Sequence, residues 1–222
     1  MGKKLGVPVY KLLGGAVKKR IPAYANGWYT VERTPEQFYE AAKRVVNRGY
    51  RALKFEPFGN GNLELSREEY NHAMSLIDAV YDAVQGKAQM LIEMHGRMSP
   101  SQAVEICKDL EKYHVGFAEE PVRPLDMGAL HYVVEHTHVP IATGERWYTS
   151  MEYNRAFAKR LIHVAQPDVS QCGGITEVKK ISEAAEMYSI MAAPHNVGGA
   201  VATAANIQVD GNFEKRKDIR AF

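Results

Sequence analysis

The chain has 222 residues, 45% apolar and 24% charged, with a formal net charge of only +2. That length and apolar content suit one globular domain with a sizeable core, and nothing in the near-balanced charge implies a polyanion such as nucleic acid as the partner. Two cysteines, Cys107 and Cys172, exclude a disulfide framework and point to a reducing cytoplasm, while no apolar run approaches the roughly 18 residues of a membrane helix.

Residues 1–20 carry six basic and no acidic side chains. Their apolar stretches are short and broken by glycines, so the segment reads as a structural lead-in and not a targeting peptide. From residue 21 the chain repeats one pattern: a short apolar run, a polar or glycine-containing loop, then an amphipathic stretch. The candidate strands are Ile21–Ala25, Ala52–Glu56, Met90–Met94, Val115–Glu119, Val139–Thr143, Ile162–Gln166 and Ile190–Ala193. Between them, helix starts are predicted at Thr34-Pro35, at Ser66 with its capping-box partner Glu69, and at Ser99-Pro100. In each a side-chain oxygen can accept from free N–H groups of the first turn. Ala73, Leu76, Ile77, Val80 and Val84 recur at helical spacing, a stripe that packs on a sheet. The βα pattern runs to residue 209, and 210–222 form a charged tail without strand periodicity.

About seven strands alternating with helices fit either a (β/α) barrel or an open doubly wound sheet, and periodicity does not separate the two. Polar residues do. Lys54 lies in the second candidate strand; Glu93 and His95, Glu119, Glu145, Asp168 and His195 end or follow the later ones. Glu93, Glu119, Glu145, Asp168 and His195 are spaced by 26, 26, 23 and 27 residues, one polar side chain per βα unit. Functional groups gathered at C-terminal strand ends are the mark of a barrel, and no G-x-G-x-x-G follows the first strand.

On a barrel, Glu93, Glu119 and Glu145 would converge, and like charges that close require a cation between them. Oxygen ligands without cysteine favour Mg²⁺. Asp168, on the neighbouring unit, could accept one ring N–H of His195 and leave the other nitrogen to take a proton.

The segments Gly6–Gly15, Tyr24–Tyr29, Leu53–Gly59, Ile92–Arg97, Phe117–Val122, Gly144–Arg146, Gln166–Asp168 and Ala193–Asn196 resemble the mandelate racemase branch of the enolase superfamily, in particular its gluconate- and galactonate-type sugar-acid dehydratases. The resemblance covers roughly residues 1 to 209. It implies a TIM-like (β/α) barrel, here incomplete and lacking the family's N-terminal capping domain and eighth strand, with Glu214 the nearest stand-in for that strand's acid. It implies Glu93, Glu119 and Glu145 as Mg²⁺ ligands, His195 with Asp168 as base, His95 as general acid, and Lys54 beside the substrate carboxylate. Asn26, Trp28, Tyr29 and Arg146 are candidates for the mouth. The implied reaction removes the C2 proton of an aldonate and expels the C3 hydroxyl, giving a 2-keto-3-deoxy acid.

Racemases of the superfamily carry Lys-x-Lys where this chain has Lys54-Phe55-Glu56, so dehydration is favoured over racemisation or epimerisation. The other alternative is a truncated, catalytically silent domain. The expected partner is a small sugar acid, with no nucleic acid or membrane. Unpaired edges of an open barrel would favour self-association into a homo-oligomer.

Overall fold

A computed structural model of the chain describes residues 1–17 and 19–211. Glu214 and all of the charged tail beyond Gly211 lie outside the described residues. In chain order the elements are α1 (Gly2–Leu5), α2 (Val9–Leu12), α3 (Pro35–Asn47), β1 (Ala52–Phe55), α4 (Arg67–Val84), β2 (Gln89–Glu93), α5 (Pro100–Leu110), β3 (Phe117–Glu119), α6 (Met127–His136), β4 (Ile141–Thr143), α7 (Ser150–Ala158), β5 (Val164–Ala165), α8 (Ile175–Met187), β6 (Met191–Ala192) and α9 (Ala200–Asp210). Neighbouring strands in the sheet are consecutive in sequence, β1-β2-β3-β4-β5-β6, the order that successive βα units produce. No described helix is long and apolar enough to cross a membrane.

Among the described residues the chain forms two compact units, one spanning Ala23–Ile141 and the other combining Met1–Pro22 with residues 142–211. In the Ala23–Ile141 unit, β1 and β2 run parallel with Lys54 opposite Leu91, and β2 and β3 run parallel with Glu93 opposite Glu119. All four residues of β1 are buried, as expected for a parallel strand covered on both faces. The predicted caps form. Thr34 accepts from Gln37 N–H at 3.3 Å and Ser99 from Gln102 N–H at 3.1 Å. Ser66 and Glu69 complete a reciprocal box, with Glu69 accepting from Ser66 N–H at 2.8 Å. The stripe Ala73, Leu76, Ile77, Val80 and Val84 is buried, and α4 packs on α3.

In the other unit β4, β5 and β6 are parallel, with Ala142 opposite Val164 and Val164 opposite Met191. Gly144 leaves β4 at φ 134°, a conformation few L side chains adopt. Its carbonyl accepts the Tyr153 hydroxyl at 2.5 Å, anchoring the turn to α7. Glu152 caps α7 by accepting the N–H of Thr149 at 2.9 Å. Helix α8 packs on both α7 and α9, and α2 is tied to α9 by Tyr10 N–H donating to Gln208 at 3.0 Å.

Six of the expected strands form with ends shifted by one to two residues, and one does not form. Ile21–Ala25 is not a strand but a single parallel bridge, Ala25 to Leu53. Pro22 has no N–H to give to a ladder, and beyond Ala25 the Asn26 side chain accepts Gly27 N–H at 2.8 Å, bending the backbone into a turn. Six strands therefore stand among the described residues where about seven were expected.

Candidate active site

In the Ala23–Ile141 unit, β1, β2 and β3 deliver Lys54, Glu93 and Glu119 to one buried cluster, with exposures of 3%, 2% and 0%. The Lys54 ammonium donates to Glu93 Oε2 at 3.1 Å and to Glu119 Oε1. The Glu93–Glu119 register places two carboxylates side by side on adjacent strands. Burial, and after it the charge of Glu93, pushes the Glu119 carboxyl up to about 8 against the pull of Lys54. Burial draws the Lys54 ammonium down, but Glu119, Tyr24 and Glu93 outweigh it and hold the group above the ordinary lysine value.

His95 follows β2 in a left-handed backbone conformation, φ 54°, and its side chain is exposed. Its N–H donates to Glu93 Oε1 at 2.7 Å, so both oxygens of Glu93 are engaged, one by Lys54 and one by the His95 turn. Glu56 is buried and held on several sides. Oε1 accepts from Phe58 N–H at 2.6 Å and from Arg97 at 2.8 Å, while Oε2 lies 3.5 Å from Arg33.

The expected mouth residues divide. Asn26 is a turn former. Trp28 donates its indole N–H to the Lys54 carbonyl at 2.9 Å and stacks edge-on against Phe38 and Phe55, which accounts for it as packing. Tyr29 is half-buried. Burial raises its phenol, which also responds to the charges of Lys54, Glu56, Glu93 and Glu119; its hydroxyl therefore belongs to the same electrostatic neighbourhood.

The second unit brings together Glu145, Asp168 and His195, from the segments that follow β4, β5 and β6. His195 Nδ1 lies 2.8 Å from Asp168 Oδ2, and Nε2 lies 2.9 Å from Glu145 Oε2. The pair is backed by main chain: Asp168 and His195 form a parallel bridge, and Ser170 N–H donates to Asp168 Oδ1 at 2.7 Å. Asn206 of α9 donates to the His195 carbonyl at 3.1 Å. Arg146 Nε is 3.8 Å from Glu145 Oε1.

Two buried carboxylates face one ammonium around Lys54, and two carboxylates face the His195 imidazole in the other unit. The carboxylate oxygens of Glu93, Glu119 and Glu145 are hard donors of the kind that fits a divalent cation such as Mg²⁺. Sequence reasoning missed the ion pair of Arg97 with Glu56. Both residues stood in segments singled out above, but nothing local signals a contact 41 positions apart.

Residues 37–219 match the enolase C-terminal domain-like family. The chain is 41% identical over 207 residues to the D-gluconate dehydratase of Thermoproteus tenax, covering 93% of this chain and 42% of that protein. It is 35% identical over 211 residues to the D-gluconate/D-galactonate dehydratase of Picrophilus torridus, covering 95% of this chain and 54% of that one. The chain thus spans about half the length of these relatives. A crystal structure of a member of the enolase superfamily from Salmonella Typhimurium superposes with a TM-score of 0.90 at 31% identity, covering 96% of this chain and 59% of its own.

Proposed function

Since the chain belongs to the enolase C-terminal domain-like family, we propose that it carries the chemistry of a sugar-acid dehydratase, converting an aldonate such as gluconate or galactonate to a 2-keto-3-deoxy acid. The observation that carries the reading is the His195–Asp168 pair at 2.8 Å, an oriented base on a strand end. The names of the relatives in Thermoproteus and Picrophilus support the substrate class.

In this reading Glu93, Glu119 and Glu145 hold Mg²⁺. When bound, the ion supplies positive charge to the substrate carboxylate and so eases loss of the neighbouring C2 proton. His195 accepts that proton at Nε2, while Asp168 accepts the Nδ1–H and fixes the tautomer and ring orientation. Lys54 adds ammonium charge beside the substrate carboxylate. His95 gives a proton to the C3 hydroxyl, which leaves as water, and the enol relaxes to the ketone. The engagement of Glu56 by Arg97, Phe58 and Arg33 supports elimination over two-base racemisation. The two free, buried cysteines support a cytoplasmic setting.

The test is incubation with Mg²⁺ and a panel of aldonic and aldaric acids in deuterated solvent, scoring 2-keto-3-deoxy products and deuterium at C2. A product from at least one acid is expected. Deuterium without product would replace dehydration by epimerase-type chemistry. Neither signal, with Mg²⁺ binding intact, would establish the silent domain.

A further inference from the structure

The turn that presents His95 is strapped to the loop after β1. Arg97 does this with both ends. Its guanidinium donates to Glu56 Oε1 at 2.8 Å and to the Gly59 carbonyl at 2.5 Å, and its own carbonyl accepts Leu63 N–H at 2.7 Å. The strap continues through Ser99 N–H to the Leu63 carbonyl at 2.8 Å and Leu65 N–H to Gln102 at 2.9 Å. On its other flank the turn is tied to the end of β3, with Gly96 N–H donating to the Glu120 carbonyl at 2.7 Å.

In this turn Gly96 at φ 63° enters the left-handed region freely, whereas His95 at φ 54° holds it at a modest cost that surrounding contacts must offset. The contacts from β2 and β3 fix its base. The Arg97 fork, charge-assisted and planar, is what fixes the far side. We infer that Arg97, held by Glu56, is a positioning residue for His95, and that it governs departure of the C3 hydroxyl without governing removal of the C2 proton. The kinetic half of this inference rests on the dehydration proposed above; the positional half does not. A displacement of about 1 Å at a reacting group costs up to about a hundredfold in rate, so loosening the turn is enough to disable a general acid that is otherwise intact.

The test uses R97M, R97K and E56Q in the full chain. Amide hydrogen exchange is read at His95 and Gly96, with β1 and β2 amides as the control for global folding. R97M is expected to speed exchange at His95 and Gly96 by at least about tenfold while β1 and β2 stay protected. With Mg²⁺ and a responsive aldonate, dehydration kcat should fall about ten- to a hundredfold, with KM and C2 deuterium exchange changed less than about threefold. R97K, which keeps the charge but loses the fork, should recover part of kcat. E56Q supplies the same comparison should R97M not fold. Unchanged exchange at His95 and Gly96 in a folded R97M or E56Q overturns the inference, as does an equal fall in dehydration and C2 exchange. A wild-type chain that turns over nothing would remove the dehydration reading alone, because the amide measurement still decides whether Arg97 holds the turn.

Discussion

Replacing Lys54 by methionine keeps most of the stem's volume and removes one charge from the centre of a buried trio. At the 3.1 Å separation from Glu93 and an effective dielectric constant of about 20, the lost attraction is about 5 kcal/mol before solvation is counted. Breaking a buried pair by deleting one partner costs a net 3–5 kcal/mol or about that, and both carboxylates here are almost completely enclosed. The loss should grow as pH rises through about 8, where Glu119 ionises with Lys54 present; without the ammonium Glu119 keeps its proton to higher pH, and that protonation relieves the repulsion. Removing the ammonium also takes the local charge from −1 to −2, so K54M should bind Mg²⁺ more tightly than the wild type even though it is less stable without it. Urea unfolding with and without Mg²⁺, together with calorimetric titration of Mg²⁺, measures both effects. At about a hundredfold excess over Kd, the ion returns about 2.7 kcal/mol. A K54M variant that unfolds at the wild-type midpoint without metal, or binds Mg²⁺ more weakly, would refute the reasoning.

Three further predictions concern separate parts of the molecule. In G144A the added Cβ meets the Tyr153 ring at 2.7 Å from a backbone at φ 134°; strain and overpacking should destabilise by about 2–4 kcal/mol, and a urea midpoint unchanged from wild type would contradict this. H195N should reduce C2 deuterium exchange by about 10²- to 10⁴-fold with its thermal midpoint retained, and exchange at the wild-type rate would remove His195 as the base. The Glu119 carboxyl binds its proton more tightly folded, at about 8, than at its ordinary 4.5. Its stabilising contribution is therefore complete below about pH 4.5 and lost as pH rises through about 8. The metal-free wild type should lose stability over that window relative to E119Q, and the increment from added Mg²⁺ should grow with pH; parallel stability profiles for the two proteins would count against the assignment.

Local signals carried well from sequence to structure. The starts of α3, α4 and α5 were readable because Thr34, Ser66 and Ser99 cap within a few residues of themselves. The end of β3 at Glu119 matched its reading and that of β2 fell one residue short of Met94, at Glu93. Ile21–Ala25 misled because its apolar composition resembles a strand, while Pro22 and the Asn26 turn limit it to one bridge. The contacts that define the clusters were not readable: Lys54 reaches Glu119 across 65 positions, and the Tyr153 hydroxyl meets the Gly144 carbonyl only because α7 turns it back onto the end of β4. Asp168 with His195 could be anticipated, since each closes a neighbouring βα unit; the second contact of His195, to Glu145, could not.

The left-handed backbone at His95 restricts which substitutions can interrogate it. Histidine and asparagine tolerate that region better than most residues, and glycine enters it freely, whereas a β-branched side chain would drag the turn away from Glu93 and Glu120. H95N or H95G changes the imidazole alone; H95V changes the scaffold under it as well, and an inactive H95V would say nothing about proton transfer. The same backbone narrows the set of side chains the turn accepts, so any replacement proposed to transfer a proton from this position has to satisfy the left-handed conformation as well as the chemistry.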